Sequence, residues 1–305
     1  MLDGKHKSSY IRGMNKLPLK TRVQILSMLC EGSSMRAISR VCDVSINTVT
    51  KLLEDAGRFC FAFHDKNVRG LQSKRVQCDE IWSFCYAKAR NVEAARSAPI
   101  GAGDVWTWTS LDADTKLICN WMVGQRNADW AEAFLQDLRD RIDTRVQLTT
   151  DGLSIYLKAV EQTFGDDVDY AQLVKIYGEA PKEEKRYSPA ICLGAKKHRV
   201  EGDPDPDHIS TSYVERQNLQ MRMSMRRFTR LTNAHSKKLL NHRHAISLYF
   251  TFYNWTRIHS ALRITPAMAA GLTDRVWSVE EIVMMMDEIA PKPGRPKTYK
   301  KRAAA

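Results

Sequence analysis

The period of the hydrophobic pattern changes twice along this chain, and the order of the changes leaves few folds open. Residues 17–57 carry apolar side chains at helical spacing: Val23, Ile25, Leu26 and Leu29, then Ile38, Cys42, Val44, Val49 and Leu52. The pattern then turns β-branched and aromatic, predicting strands over 76–84, 105–111 and 116–123. An amphipathic helix over 129–142 follows, with Trp130, Ala133, Phe134 and Leu138 on one face. A strand at 146–151, a helix at 154–164 and a strand at 171–176 come next. The first three strands can pair antiparallel, whereas the later ones need crossovers. That order predicts an α/β chain: a helical N-terminal module, then a mixed sheet.

Helix returns with the stripe Val214, Met221, Met225 and Phe228. A second helix is predicted over 236–259, with Leu239, Ile246, Tyr249, Phe250 and Tyr253 on its apolar side. Residues 178–210 hold Pro181, Pro189, Pro204 and Pro206 and read as a loop. Residues 291–305 carry six Lys/Arg and no acid, and read as a disordered tail. The expected division is 1–70, 71–275 and a C-terminal helix with basic tail over 276–305.

At 305 residues and 43% hydrophobic content the chain can bury a sizeable core. Its net charge of +12 favours a nucleic acid or an anionic membrane surface. No apolar run reaches the roughly 18–20 residues that cross a bilayer, so no membrane partner is expected. No apolar segment follows Met1-Leu2-Asp3-Gly4-Lys5-His6, so secretion is not expected and a cytoplasmic location is. The cysteines are Cys30, Cys42, Cys60, Cys78, Cys85, Cys119 and Cys192. Their number is odd and they form no CxxC pair, which argues against a disulfide framework or zinc module and for small buried hydrophobes.

Within the helical module, residues 36–53 have the apolar spacing of a helix-turn-helix. Asp43 stands at the tight turn and tolerates a left-handed backbone better than most residues. Ser45 suits the N-cap of the second helix. That helix would enter a DNA major groove with Ile46, Asn47, Thr48 and Lys51 near bases or phosphates.

Glu215 is the only acid between His208 and Thr273, a stretch with ten Lys and Arg, among them Arg216, Arg222, Arg226 and Arg227. A carboxylate is repulsive on a surface for a polyanion unless it holds a cation or a specific basic partner. Asp79, inside the first strand, and Asp151, ending a later one, are framed by apolar residues. An acid is disfavoured there unless paired or metal-bound. Three converging carboxylates suit two Mg²⁺ ions and phosphodiester chemistry. Glu80 should point to the opposite face of a regular strand and ranks below Asp79.

These residues resemble a known family. Asp79 in Cys78-Asp79-Glu80-Ile81-Trp82-Ser83, Asp151 in Thr150-Asp151-Gly152 and Glu215 in Tyr213-Val214-Glu215-Arg216 form an ordered set behind a helix-turn-helix. Tyr253-Asn254-Trp255, His259-Ser260-Ala261-Leu262 and Thr265-Pro266 resemble the segment that closes such cores. Over about residues 17–275 the chain is similar to bacterial insertion-sequence transposases of the DDE type, nearest to the family founded on insertion sequence one. The resemblance implies an RNase H-like catalytic core and a bacterial, nucleoid-associated protein. It implies Asp79, Asp151 and Glu215 as catalytic ligands of Mg²⁺ or Mn²⁺, and cleavage and strand transfer of element ends. Double-stranded DNA and an at least dimeric assembly are the implied partners. It also implies a basic residue seven after the Glu, here Arg222, which two helical turns bring to the Glu215 face; Arg226 extends that basic surface toward DNA. Pro293-Gly294-Arg295-Pro296-Lys297 resembles an AT-hook, which would set Arg295 in an A·T minor groove. One departure stands out: the founding members have an N-terminal zinc finger and this chain has no cysteine pairs to make one. Two alternatives stay open at the level of sequence: a helix-turn-helix transcription regulator with an inert core, and an RNase H-type nuclease that cuts without joining.

Overall fold

A computed structural model describes residues 16–178, 191–229 and 233–290. Three helices come first: α1 (Leu19–Cys30), α2 (Met35–Val41) and α3 (Ile46–Asn67). Pro18 is the N-cap of α1. Asp43 adopts a positive φ of 49° in the turn before α3. The Ser45 hydroxyl accepts from the Thr48 N–H at 3.1 Å, as an N-cap should.

The sheet is built from β1 (Arg75–Cys85), β2 (Gly103–Asp112), β3 (Ile118–Gly124), β4 (Val146–Asp151), β5 (Val168–Tyr177) and β6 (Cys192–Glu201). Its order is β3-β2-β1-β4-β5-β6. The pairs β1–β2, β2–β3 and β5–β6 are antiparallel, and β1–β4 and β4–β5 parallel. The first five strands thus form the mixed sheet that the hydrophobic pattern predicts, in an order that suits the RNase H-like core implied by the resemblance. The crossovers are α4 (Ala128–Arg139) and α5 (Ile155–Phe164).

Strand β6 corrects the reading of 178–210 as a loop. Every residue of β6 is exposed, and it pairs through β5 alone at the sheet edge, so no apolar alternation marks it. Lys196, Lys197 and Arg199 there keep an open edge from pairing with other chains.

After β6 come α6 (Ser212–Ser224), α7 (Leu239–Thr251), a π-helical turn over Phe252–Thr256, α8 (Pro266–Ala269) and α9 (Val279–Ile289). The helix expected over 236–259 is shorter at both ends. Ser236 is taken up by the sheet, its carbonyl accepting from the Tyr86 N–H at 2.7 Å. At the far end the wider turn lets the Asn254 side chain pair with both the N–H and the carbonyl of Ile118, each at 3.0 Å.

The two sheet faces carry separate cores. Val76, Cys78, Trp108, Phe134, Leu138 and Tyr156 pack under α4 and α5. Ile81, Val105, Leu111, Val214, Met221 and Phe250 pack under α6 and α7. A third core joins Ile25, Leu26, Leu53 and Cys60 to Leu248 of α7 and to Ile282, Val283 and Met286 of α9. There α3 approaches α7 so closely that a Cβ on Gly57 would lie 2.3 Å from the Cβ of His244, which only glycine allows. Arg22 of α1 grips Asp287 of α9 through two bonds of 2.6 and 2.7 Å. Five of the seven cysteines are buried, and Cys192 is exposed on β6. Among the described residues no helix is long and apolar enough to cross a membrane.

Candidate active site

Strand β1 carries Asp79 at the middle of the sheet. Its last parallel rung with β4 is Gln77–Thr149. Two residues further along both strands, on the same pleat face, stand Asp79 and Asp151. One possible ligand atom from each of Asp79, Glu80 and Asp151 lies within 4.8 Å of the other two.

The three carboxylates are held differently. Asp79 accepts from Asn218 Nδ2 of α6 and from the Glu80 N–H, both at 2.8 Å. Asp151 accepts from the Leu153 N–H at 3.0 Å, a turn that Gly152 permits by passing close to Val174. Glu80 turns to the α5 face, as strand alternation requires. There it accepts from the Tyr156 hydroxyl and from Arg126 Nε, the latter at 3.0 Å. Arg126 lies over the Trp106 ring at 4.7 Å and reaches to 3.9 Å from Asp151. This network of Glu80, Tyr156 and Arg126 escaped the sequence reading, because the three residues are far apart in the chain.

Burial, then the charges of Glu80 and Asp151, push Asp79 up to about 7. Glu215 adds to that repulsion, so its charge is felt at Asp79. Glu80 is also raised, chiefly by burial, against the opposing pull of Tyr156 and Arg126. Carboxylates that repel one another in a partly desolvated place suit a hard dication: a bound charge would relieve the repulsion.

Glu215 reaches this region because α6 is pinned to β1. The Gln77 side-chain oxygen accepts from the Tyr213 and Val214 N–H groups at 2.9 and 3.1 Å, satisfying donors that a helix start leaves open. Its carboxylate lies outside the cluster of three. It accepts from Lys175 Nζ at 2.5 Å and from the Thr211 hydroxyl at 2.6 Å. Lys175 of β5 faces its charge, a specific basic partner for an acid among bases. Asn218, three residues beyond Glu215, shares its helical face and touches Asp79, a partner that this spacing alone could have suggested.

Of the residues expected on DNA, Ile46, Asn47 and Lys51 are exposed and Thr48 is half-buried at the start of α3. Arg222 is half-buried on α6 and Arg226 is exposed just beyond it. Arg295, with the rest of the basic tail, lies outside the described residues, as does Arg230. His198 is exposed on β6, and His208 is engaged with Arg75 and Asp205.

No known family model matches the chain, and no curated protein matches its sequence. Among solved structures it is similar to a piggyBac transposase synaptic complex with hairpin DNA, at 11% identity and a TM-score of 0.38, over 90% of this chain and 73% of that one. It is similar to a Mos1 strand transfer complex at 11% identity and a TM-score of 0.24, over 78% of this chain and 77% of that one. A Mos1 mariner paired end complex with Mn matches at 14% identity and a TM-score of 0.21, over 50% of this chain and 58% of that one.

Proposed function

We propose that this chain is a DNA transposase of the DDE type, of the insertion-sequence kind nearest to the family founded on insertion sequence one. The observation that carries the reading is the convergence of Asp79 and Asp151 on adjacent parallel strands, with Asp79 raised to about 7 by burial and neighbouring acids. Structural acids are normally neutralised, and this one is crowded.

Asp79 and Asp151 would hold Mg²⁺ or Mn²⁺, two ions in all, with Glu215 as the third carboxylate. Bound there, the ions would lower the pKa of attacking water and offset charge building up on the phosphate. Glu80 positions rather than binds: tied to Tyr156 and Arg126, it fixes Arg126 beside Asp151. Arg126 and Arg222 would offer guanidinium groups to phosphate oxygens. In cleavage, a water oxygen bonds to phosphorus and the bond to the 3′ oxygen breaks, freeing a 3′-OH. In joining, that 3′ oxygen attacks a target phosphate and displaces the target's own 3′ oxygen.

The exposed start of α3, with Ile46, Asn47, Thr48 and Lys51, would read the terminal repeats. Arg226 and the tail residue Arg295 would add backbone and minor-groove contacts. Two ends must meet, so a dimer or larger assembly is part of the reading.

The test incubates the full chain and Mg²⁺ with a labelled duplex from the DNA flanking its gene, plus a target plasmid. Cleaved and joined products are expected. Absence of cleavage rules out the enzyme reading in favour of a regulator, and cleavage without joining makes the chain a nuclease.

A further inference from the structure

Between α1–α3 and the link from α6 to α7 lies a cleft of about 700 Å³. Its charged lining has one sign. Arg36, Arg226, Arg227, Lys237, Lys238 and the ring of His235 line it, and among the described residues no Asp or Glu does. Among the described residues none of the five Lys and Arg makes an ion pair. Arg36, Arg226, Lys237 and Lys238 are exposed at the mouth.

Arg227 sits deeper. Its hydrogen bonds go to the Ser236 hydroxyl at 3.0 Å and the Met35 sulfur at 3.5 Å, both neutral. Burial pulls its guanidinium down to about 10. A half-buried guanidinium with no carboxylate among the described residues is costly, and an anionic guest would supply the missing partner.

The lining decides which anion. Among the described residues the one lining aromatic besides His235 is Tyr249, only 1% exposed, so no exposed ring there offers a nucleobase a stacking platform. A phosphodiester backbone needs only cations. Ile46 and Thr50 of α3 form one wall, making the cleft continuous with the helix proposed to read DNA. On its other side Ser236 is bridged to Cys85 at the end of β1. Cys85 lies about 20 Å beyond Asp79 at ~3.3 Å per strand residue, a span of roughly six nucleotides at ~3.4 Å each.

We propose that this cleft seats the phosphodiester backbone of duplex DNA between α3 and the carboxylate cluster, with Arg227 at its back and Arg36, Arg226, Lys237 and Lys238 at its mouth. The proposal rests on the reading that the chain acts on DNA, and adds a backbone seat separate from the carboxylates.

The test measures binding of the full chain to a labelled random-sequence duplex across a salt series. A variant with Arg226→Gln, Lys237→Gln and Lys238→Gln alters only exposed side chains. It should flatten the slope of log Kd against log salt by about 2–3 and weaken binding roughly 10- to 100-fold. Separately, Arg227→Met should weaken binding about tenfold while melting no lower than the parent, because it removes an uncompensated charge. An arginine with a merely structural role would give the reverse: lower melting and unchanged binding, which overturns the proposal. If the parent binds duplex steeply with salt and the triple variant matches it, the cleft assignment falls and the DNA reading stands. If the parent binds no duplex, both fall. Titration with inorganic pyrophosphate separates the remaining source of phosphate. Saturable binding that the variants lose while keeping duplex affinity makes this a small-anion site and overturns the DNA seat.

Discussion

The centre of the sheet and the helix laid across it treat their carboxylates in opposite ways. Asp79 on β1 has Asn218 and a backbone N–H as partners, no ion pair among the described residues, and two acids beside it. Glu215 on α6 has Lys175 and Thr211. The first is crowded and raised to about 7; the second is neutralised by a lysine within contact. Strand geometry forces the crowding, since β1 and β4 run parallel and bring two acids level. Helix geometry relieves it, because Glu215 can turn along β5 to Lys175. An acid that the fold leaves unneutralised is a better mark of metal chemistry than one that merely sits among bases.

The sharpest way to break this contrast is to remove the crowded acid. Asp79→Asn or Asp151→Asn should lower Mg²⁺-dependent cleavage by about three orders of magnitude or more, equal to ~4 kcal/mol of transition-state stabilisation. Duplex affinity should hold. Cleavage by Asp151→Asn at the parent rate removes that residue from the site.

A second pair of variants separates Glu215 from Glu80. Glu215→Gln should cut cleavage by roughly 10²-fold or more with a normal melting curve and equal or tighter DNA binding, since one repulsive charge is gone. Glu80→Gln should act on stability first, costing about 1–3 kcal/mol through the weakened Arg126 and Tyr156 contacts. The reverse pattern, an inactive but stable Glu80→Gln beside an active Glu215→Gln, would make Asp79, Glu80 and Asp151 the working set.

The contrast between neutralised and stranded groups extends to histidines. His64 is buried, its Nε2 against the Cys119 carbonyl at 3.1 Å, and burial, then Arg141, pulls it down to about 4. His242, between the Ser83 and Ser236 hydroxyls, is pulled down to about 3 by burial and by Arg227 and Arg243. Both are neutral when folded and take up a proton more readily when unfolded. Their stabilising effect is therefore full above pH ~6.5 and is lost as pH falls toward 4 and 3, on the order of 3 kcal/mol for His64 and roughly 5 kcal/mol for His242. Urea unfolding from pH 7 to 4 should show this fall, and His242→Asn should make it shallower. An equally steep profile in that variant excludes His242 as a source.

The smallest effect belongs to the exposed end of α3. Lys51→Gln should reduce the salt slope of duplex binding by about one and leave cleavage per bound complex unchanged. An unaltered slope takes Lys51 off the DNA.

Five of the six strands and both crossover helices were legible, because each buries an alternating or helical stripe. The edge strand β6 was not: with all its side chains in water, Cys192–Glu201 carries no pattern. Ser45 and Asp43 could be read because capping and left-handed turns are local chemistry. Asp79 and Asp151 were legible as acids in apolar frames. What holds them was not, since Arg126 and Tyr156 act across 46 and 76 residues of chain. Lys175 was hidden likewise, 40 residues from Glu215.

The grip of α9 on α1 also shapes how the protein is made. Ile25 and Leu26 share one core with Ile282, Val283 and Met286, so the helices made early wait for one made much later. Contacts of such separation close slowly. A chain stopped before α9 would carry α1–α3 with their apolar face open and prone to stick. Only a chain translated through α9 presents α3 on a finished support.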